Sequence, residues 1–469
     1  MQVPARLQLI LDDASPVLEL ARRLAEADHQ CYLVGGSVRD ALLDLPHDDI
    51  DVTTGARPDE VERLVRGWAD HVWLQGQRFG TVGCEVRGMR IEITTFRADV
   101  YRPESRKPEV EFADDVETDL SRRDFTINAM ALLLPELRFI DPFSGAADLA
   151  AKRLRTPLAP EISFLDDPLR MLRAARFIAR FGLVPDPSLV AAVEQLHSRL
   201  EIVSAERIRD ELSKLLAVPD PSAGLWFVAE TKLSDEFLPE LNAMRLEQDP
   251  IHQHKDVLGH TIAVVAKTPS DGLRVRLAAL LHDIGKPKTR SIGPGGVTFH
   301  HHEVVGARMS EERLRALHYP NDVVEAVTKL VYLHLRIHTY AMGWTDSAVR
   351  RYVRDAGPLL DDLNKLQRAD CTTRNQRKAA ALGHRMDELE ARIVALRAKE
   401  ELDAIRPPLD GRQVMAFLGV APGREVGGAL RFLLDARLDE GPIEEADAYL
   451  RLGQWARERG IEPVGKVDD

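Results

Sequence analysis

The sequence predicts an α+β chain: a mixed sheet with helices at the N-terminal end, followed by an all-helical remainder. Up to about residue 145, short apolar or alternating stretches with the period of strands are interleaved with helical patterns. After Asp141-Pro142-Phe143-Ser144-Gly145 strand signals stop, and apolar residues recur at helical spacing to the end. A length of 469 residues exceeds what one core organises. We divide it into a head (1–145), a helical neck (146–240), a histidine-rich body (241–375) and a helical tail (376–469).

The head begins with an amphipathic helix over residues 1 to about 30, carried by Leu7, Leu9, Ile10, Leu18, Leu20 and Leu24. Tyr32 to Val34 is a strand, and Gly35 and Gly36 let the backbone turn sharply and approach a ligand. Ser37 is expected to cap a helix over Val38 to Leu43, whose free N–H groups and dipole suit phosphate oxygens. Arg39 adds a charged donor. Asp49 and Asp51 share one face of the next strand, because side chains at i and i+2 point the same way. Two carboxylates that close repel unless a cation sits between them, and Mg²⁺ habitually shares such ligands with phosphates. A helix over Pro58 to Trp68 and strands over Thr81 to Val86, Arg90 to Arg97 and Ala129 to Leu134 follow. In Arg90 to Arg97, Glu92 faces away from Ile91 and Ile93. Beside Asp49 and Asp51 it completes a three-carboxylate cluster.

The neck opens on Leu165-Asp166-Asp167-Pro168-Leu169-Arg170-Met171, read as one helix capped by Asp166 or Asp167 with proline in its first turn. Asp167, Arg170, Arg173 and Arg176 recur every three residues and form one slowly turning stripe. The helix around Glu206 to Leu216 is read as structural support. Histidines then accumulate, among them His252, His254, His260, His282, His300, His301, His302 and His334. Imidazole and carboxylate ligands together suit a transition metal or Mg²⁺. Ala379 to Ala398 is read as a long solvated helix.

Composition narrows the class. With 44% hydrophobic residues the chain is expected to fold throughout, and its net charge of −12 argues against non-specific coating of nucleic acid. Residues 151–217 carry 11 Lys and Arg against 9 Asp and Glu, so any RNA contact is expected to be local. Cys31, Cys84 and Cys371 form no CxxC framework, which with the lack of a signal-peptide pattern suggests a reducing cytoplasm. No window is apolar for long enough to span a bilayer, so no membrane partner is expected.

The strand, GGSVRD helix and DID strand together resemble the opening of the nucleotidyltransferase domain of the DNA polymerase β superfamily. Arg122-Arg123-Asp124-Phe125-Thr126-Ile127-Asn128-Ala129 is close to the RRDFTINA motif of tRNA nucleotidyltransferases and bacterial poly(A) polymerases. Asp166-Asp167-Pro168-Leu169-Arg170 resembles the EDxxR motif of class II CCA-adding enzymes, with aspartate in place of glutamate. His260, then His282-Asp283, then Asp370 reproduces the H...HD...D order of HD-domain phosphohydrolases, with His302 and His334 as supplementary ligands.

The resemblance covers nearly the whole chain. It implies a polymerase β-like head, neck, HD body and RNA-holding tail, and template-independent addition of C, C and A to tRNA from CTP and ATP. Asp49, Asp51 and Glu92 would hold Mg²⁺. Gly35, Gly36, Ser37 and Arg39 would hold phosphate, and Arg123, Asp124 and Asn128 would meet ribose and phosphates. Asp167 and Arg170 would read the base, with Arg173 and Arg176 toward the triphosphate. His260, His282, Asp283 and Asp370 would hold a second metal, with a possible phosphohydrolase activity on RNA ends. A CC- or A-adding partial enzyme, a poly(A) polymerase and a plain HD phosphohydrolase are the alternatives. Oligomeric state has no sequence signal.

Overall fold

The computed structural model describes residues 11, 14–46, 49–77, 80–100, 109–246, 256–293, 296–339, 345–371, 376–400, 402 and 405–465. The chain forms two compact units, 1–242 and 243–469. Among the described residues, no helix is long and apolar enough to cross a membrane.

In the first unit the Pro16–Glu26 helix starts where Ser15 Oγ accepts from the Val17 N–H, and it buries Val17, Leu20 and Leu24. Nine strands follow: β1 (Cys31–Val34), β2 (Asp49–Thr54), β3 (His71–Trp73), β4 (Thr81–Val86), β5 (Met89–Thr95), β6 (Arg97–Val100), β7 (Glu109–Phe112), β8 (Ala131–Leu134) and β9 (Arg138–Ile140). Seven make one sheet in the order β3-β4-β5-β2-β1-β8-β9, while β6 and β7 pair separately. Within that sheet, among the described residues, only β2 and β5 run parallel; their register sets Asp49 opposite Arg90 and Asp51 opposite Glu92. The pleat sends Ile50, Val52, Ile91 and Ile93 into the core and leaves the acids on the other face.

Sequence reading missed β3, the β6–β7 pair and β9, which are only three or four residues long. Its helix over Pro58 to Trp68 ends at Val65, and the part of its N-terminal helix before residue 11 lies outside the described residues. Strands also persist beyond residue 145. Arg153–Leu154 pairs with Val184–Pro185, and Ser291–Gly293 with Gly296–Thr298. These two- and three-residue ladders are too short to show a period.

The rest of the first unit is helical. A Pro160–Asp166 helix and a Leu169–Phe181 helix meet at Asp167-Pro168, and Ala205–Leu216 packs against the second. The expected single helix is therefore two. Asp167 sits between them with extended backbone (φ −141°, ψ 100°), as residues preceding proline prefer. Asp166 is the last residue of the first helix, and it is Asp167 whose carboxylate accepts from the Leu169 N–H at the start of the second.

The second unit is built from helices, including Val257–Lys267, Leu273–Leu281, His302–Ala316, Asn321–Leu333, Leu360–Asp370 and Gln376–Arg397. The last was expected to be merely solvated, yet Met386, Leu389, Ile393 and Leu396 are buried along one face at helical spacing. Residues 409–456 add a cluster around Phe417, Leu433, Leu452 and Trp455.

Candidate active site

A cavity of about 510 Å³ in the first unit lies over the acid-bearing face. Gly35, Gly36, Arg39, Asp51, Arg123, Asp124, Asn128, Asp167, Arg170, Arg173 and Arg176 all line it, so most of the residues singled out in the sequence converge. Arg97, Arg122 and Arg207 complete a strongly cationic wall.

The turn after β1 works because Gly35 takes a left-handed conformation (φ +66°). A Cβ there would sit 2.8 Å from Arg123 Nη1 and 3.5 Å from Asp51 Oδ2. Residues with side chains rarely adopt that φ, and the missing Cβ keeps the backbone open to the cavity. Gly35 itself is the N-cap and the helix runs Gly36–Leu42, so Ser37 is not the cap. Ser37 is fully buried, outside the cavity lining. Its hydroxyl accepts from the Asp51 N–H (3.0 Å) and donates to the Asp49 carbonyl (3.3 Å). It fixes the floor strand against the turn.

Asp51 is half-buried, whereas Asp49 and Glu92 are exposed and lie outside the cavity lining. Burial, with the charges of Glu92 and Asp49, pushes the Asp51 carboxyl up to about 6, even though Arg123 and Arg39 pull against it. That unrelieved repulsion, in a set of oxygen donors on one sheet face, fits a divalent cation.

Arg39 is buried. It donates to Asp40 (Nε, 2.8 Å) and Asn128 (Nη1, 2.5 Å), and its guanidinium stacks on Phe181 and Phe177 at 4.7 and 5.4 Å from the ring centroids. Asn128 Nδ2 and the Phe125 N–H donate to Asp124 Oδ1, both at 2.8 Å, while Arg173 donates to Asp124 Oδ2 at 2.6 Å. Burial opposes this charge, but Arg173 and Asn128 hold the Asp124 carboxyl down at about 2. The phosphate turn, the RRDFTIN segment and the arginine stripe are thus one polar chain.

The stripe itself divides its labour. Arg170 is buried and donates to Ser163 Oγ (2.9 Å) and the Arg122 carbonyl (2.5 Å). Arg176 is nearly buried against Glu211, and Asp167 accepts from Arg207 at 2.8 Å. The Ala205–Leu216 helix was read as support alone; it also brings Arg207 to the cavity wall. The missed signal was charge complementarity: Arg207 and Glu211, one turn apart, answer Asp167 at the joint and Arg176 on the facing helix.

A second constellation lies in the second unit. His260 Nε2 is 2.9 Å from Asp370 Oδ1 and 3.3 Å from His282 Nε2, which is 3.2 Å from Asp283 Oδ2. On the far side of Asp283, Oδ1 lies 3.4 Å from His302 Nε2 and 3.9 Å from His334 Nε2. The Nδ1 atoms of His282, His302 and His334 each face a carbonyl, of Ala279, Phe299 and Val331, which aims Nε2 inward. The Nε2 atoms of His302 and His334 are buried without a hydrogen-bond partner among the described residues. Burial, with the His282 charge, pushes His334 down to about 3, keeping it neutral as a ligand must be. Two ligand sets result, His260–His282–Asp283 and Asp283–His302–His334. His252 and His254 lie outside the described residues, and His301 is an exposed helix cap.

Three domain families match this chain: the poly A polymerase head domain over residues 31–155, the probable RNA and SrmB-binding site of polymerase A over 182–245, and the HD domain over 254–396. Both the head and HD families imply use of a divalent metal. Over 443 residues the chain is 34% identical to the A-adding tRNA nucleotidyltransferase of Deinococcus radiodurans, covering 91% of this chain and 95% of that one. It is 39% identical to the CCA-adding enzyme of Bacillus subtilis over 224 residues, which are 48% of this chain and 54% of the relative. Its fold resembles that of the Bacillus stearothermophilus CCA-adding enzyme in complex with CTP (TM-score 0.68, 24% identity, 98% and 99% of the chains). The Thermotoga maritima CCA-adding enzyme complexed with tRNA is likewise similar (TM-score 0.60, 20% identity, 97% and 100%). With a catalytic-type head, an arginine-lined cavity and an HD body in one chain, this protein belongs to the tRNA nucleotidyltransferase family of class II CCA-adding type.

Proposed function

We propose that the chain adds C, C and A to the 3′ end of tRNA from CTP and ATP without a nucleic-acid template. The observation that carries this is one cavity holding Asp51, the Gly35–Gly36 turn, a wall of arginines and the Asp167–Arg170 pair. Asp49, Asp51 and Glu92 would hold Mg²⁺. Bound there, divalent ions activate a 3′-hydroxyl and neutralise charge on departing pyrophosphate.

The side chains supply the rest. Gly35, Gly36, Arg39 and Arg123 surround the phosphates, with Arg173 and Arg176 behind them. Asp124 and Asn128 form a fixed polar edge for the ribose. Asp167 accepts from the exocyclic amine that cytosine and adenine share, and Arg170 donates to the acceptor atoms beside it. Guanine and uracil offer a carbonyl where the amine belongs, setting one acceptor against another.

A second reading, addition of the terminal A alone, is favoured by the match over nearly the whole Deinococcus enzyme. Incubation of tRNAs ending before C, C and A with each NTP separates the two. Extension of all three substrates supports the first reading, and extension only of the CC-ended tRNA supports the second. Equal use of GTP and UTP overturns both.

For the body, His260, His282, Asp283, Asp370, His302 and His334 support a metal-dependent phosphohydrolase acting on RNA ends. Ligand chemistry alone leaves the metal open among Mg²⁺ and the transition metals. The three cysteines are free thiols, consistent with a reducing cytoplasm as the compartment.

A further inference from the structure

Asp119 lies behind the cavity wall, completely buried, on the Val116–Ser121 helix whose N-cap is Asp115. Its Oδ1 accepts from Arg122 Nη2 (2.7 Å) and Nε (3.1 Å) and from the Arg97 N–H (3.2 Å). Its Oδ2 accepts from Arg123 Nη2 at 3.1 Å. Burial alone would favour the neutral acid, but Arg123 and Arg122 hold the carboxyl below its usual range. One buried charge therefore anchors two adjacent arginines.

Those arginines lead to opposite ends of the cavity. Gripped through Nη2, Arg123 extends Nη1 over the Gly35 turn beside Asp51, and its buried Nε has no hydrogen-bond partner among the described residues. Arg122 offers its carbonyl to Arg170 Nη2 at 2.5 Å, so the segment Asp119 immobilises also holds the base-reading guanidinium. The geometry points to Asp119 as a positioning residue that sets Arg123 for the phosphates and Arg170 for the base. This rests on the nucleotide-binding reading of the cavity.

The test replaces Asp119 with asparagine, which keeps the shape and removes the charge. The control is Asp148, an equally buried carboxylate that accepts from Thr126 Oγ1 (2.8 Å) and pairs with Arg153 (3.1 Å) and Arg155 (2.8 Å), outside the cavity lining. Affinity for CTP and ATP is measured by calorimetry, with KM, kcat and the ratio of CTP to UTP incorporation. At a temperature where both variants remain folded, Asp119→Asn should weaken nucleotide affinity and narrow base discrimination, each by about tenfold. Asp148→Asn, with a comparable loss of Tm, should move neither.

Should Asp119→Asn not fold, Asp119→Glu, which keeps the charge but displaces it by one methylene, carries the same expectation at smaller size. Unchanged affinity and discrimination in the folded Asp119 variant, or equal changes in Asp148→Asn, overturn the assignment. A wild type that binds CTP or ATP but extends no RNA defeats the functional reading while leaving Asp119 to be judged by affinity. A wild type that binds neither nucleotide overturns both.

Discussion

Arg207 reaches back across forty residues of sequence to donate to the Asp167 carboxylate at 2.8 Å, tying the acid proposed to read the base to a second helix. The pair is partly exposed, and such pairs contribute only ~0.2–1 kcal/mol to stability. Its effect should therefore fall on recognition. We expect Arg207→Ala to leave Tm almost unchanged while reducing preference for CTP over UTP several-fold. Competitive incorporation into a tRNA ending before its first C measures it, and an unchanged ratio would remove Arg207 from base reading.

Asp51 should be a liability to stability when no cation is present. Its folded carboxyl is pushed up to about 6, whereas an unfolded aspartate titrates near ~3.9. The folded chain thus takes up the proton more readily, so the stability from this group is full below pH ~4 and lost as pH rises through about 6. In chelator, Asp51→Asn should melt above wild type at pH 8 and level with it at pH 4. Added Mg²⁺ should raise the wild-type Tm at pH 8 by more than the variant's, while extension by the variant disappears. Coincident melts at pH 8 would show that the three carboxylates do not strain one another.

Gly35→Ala should cost ~1–2 kcal/mol, the penalty for a side chain in a left-handed conformation. The added methyl would meet Arg123 Nη1 at 2.8 Å and displace it, so nucleotide affinity should fall more than stability explains. Gly36→Ala makes an instructive pair. There the new Cβ meets Arg39 and Asp51 only at 3.6 and 3.7 Å, in ordinary contact, and φ lies outside the left-handed range. Denaturant unfolding of the two variants should differ by the full left-handed cost.

Metal analysis can read the second constellation without any assay of turnover. Because Asp283 belongs to both ligand sets, Asp283→Ala should lose more bound metal per chain than either His260→Ala or His302→Ala. Elemental analysis after equilibration with excess Mn²⁺ and gel filtration measures this. Equal losses in all three variants would point to one ion, not two. Addition of nucleotides to tRNA should be unaffected throughout.

Much of the head was legible because its motifs are local. Gly35-Gly36 and Asp49-Ile50-Asp51 lie within seventeen residues, and Glu92 sits on a strand whose alternation is plain. The partner of that strand was inferred from the acids, and the Asp51–Glu92 register agrees with it. What stayed hidden depends on distance in sequence. Ser37 reads as a cap because serine usually serves there, but a strand twelve to fourteen residues later offers it better hydrogen bonds. Arg207 and Asp119 were passed over because a charged residue on a helix or beside a motif carries no mark of the partner it will meet. The break at Asp167 was visible in principle, since proline discourages helix in the residue before it. The continuous stripe of charge across it suggested one helix.

That break gives the acid proposed to read the base an unusual mounting. Asp167 belongs to neither helix: its N–H donates to the Ser163 carbonyl (3.2 Å), its carbonyl accepts from the Arg170 N–H (3.0 Å), and its carboxylate accepts from the Leu169 N–H (3.2 Å) and from Arg207, while Arg170 lies inside a helix with both ends of its fork held. The two halves of the proposed recognition element are therefore mounted differently. The proposed acceptor stands on a joint between helices and the proposed donor within one, so a substitution at Pro168 should displace the acid before it displaces the arginine.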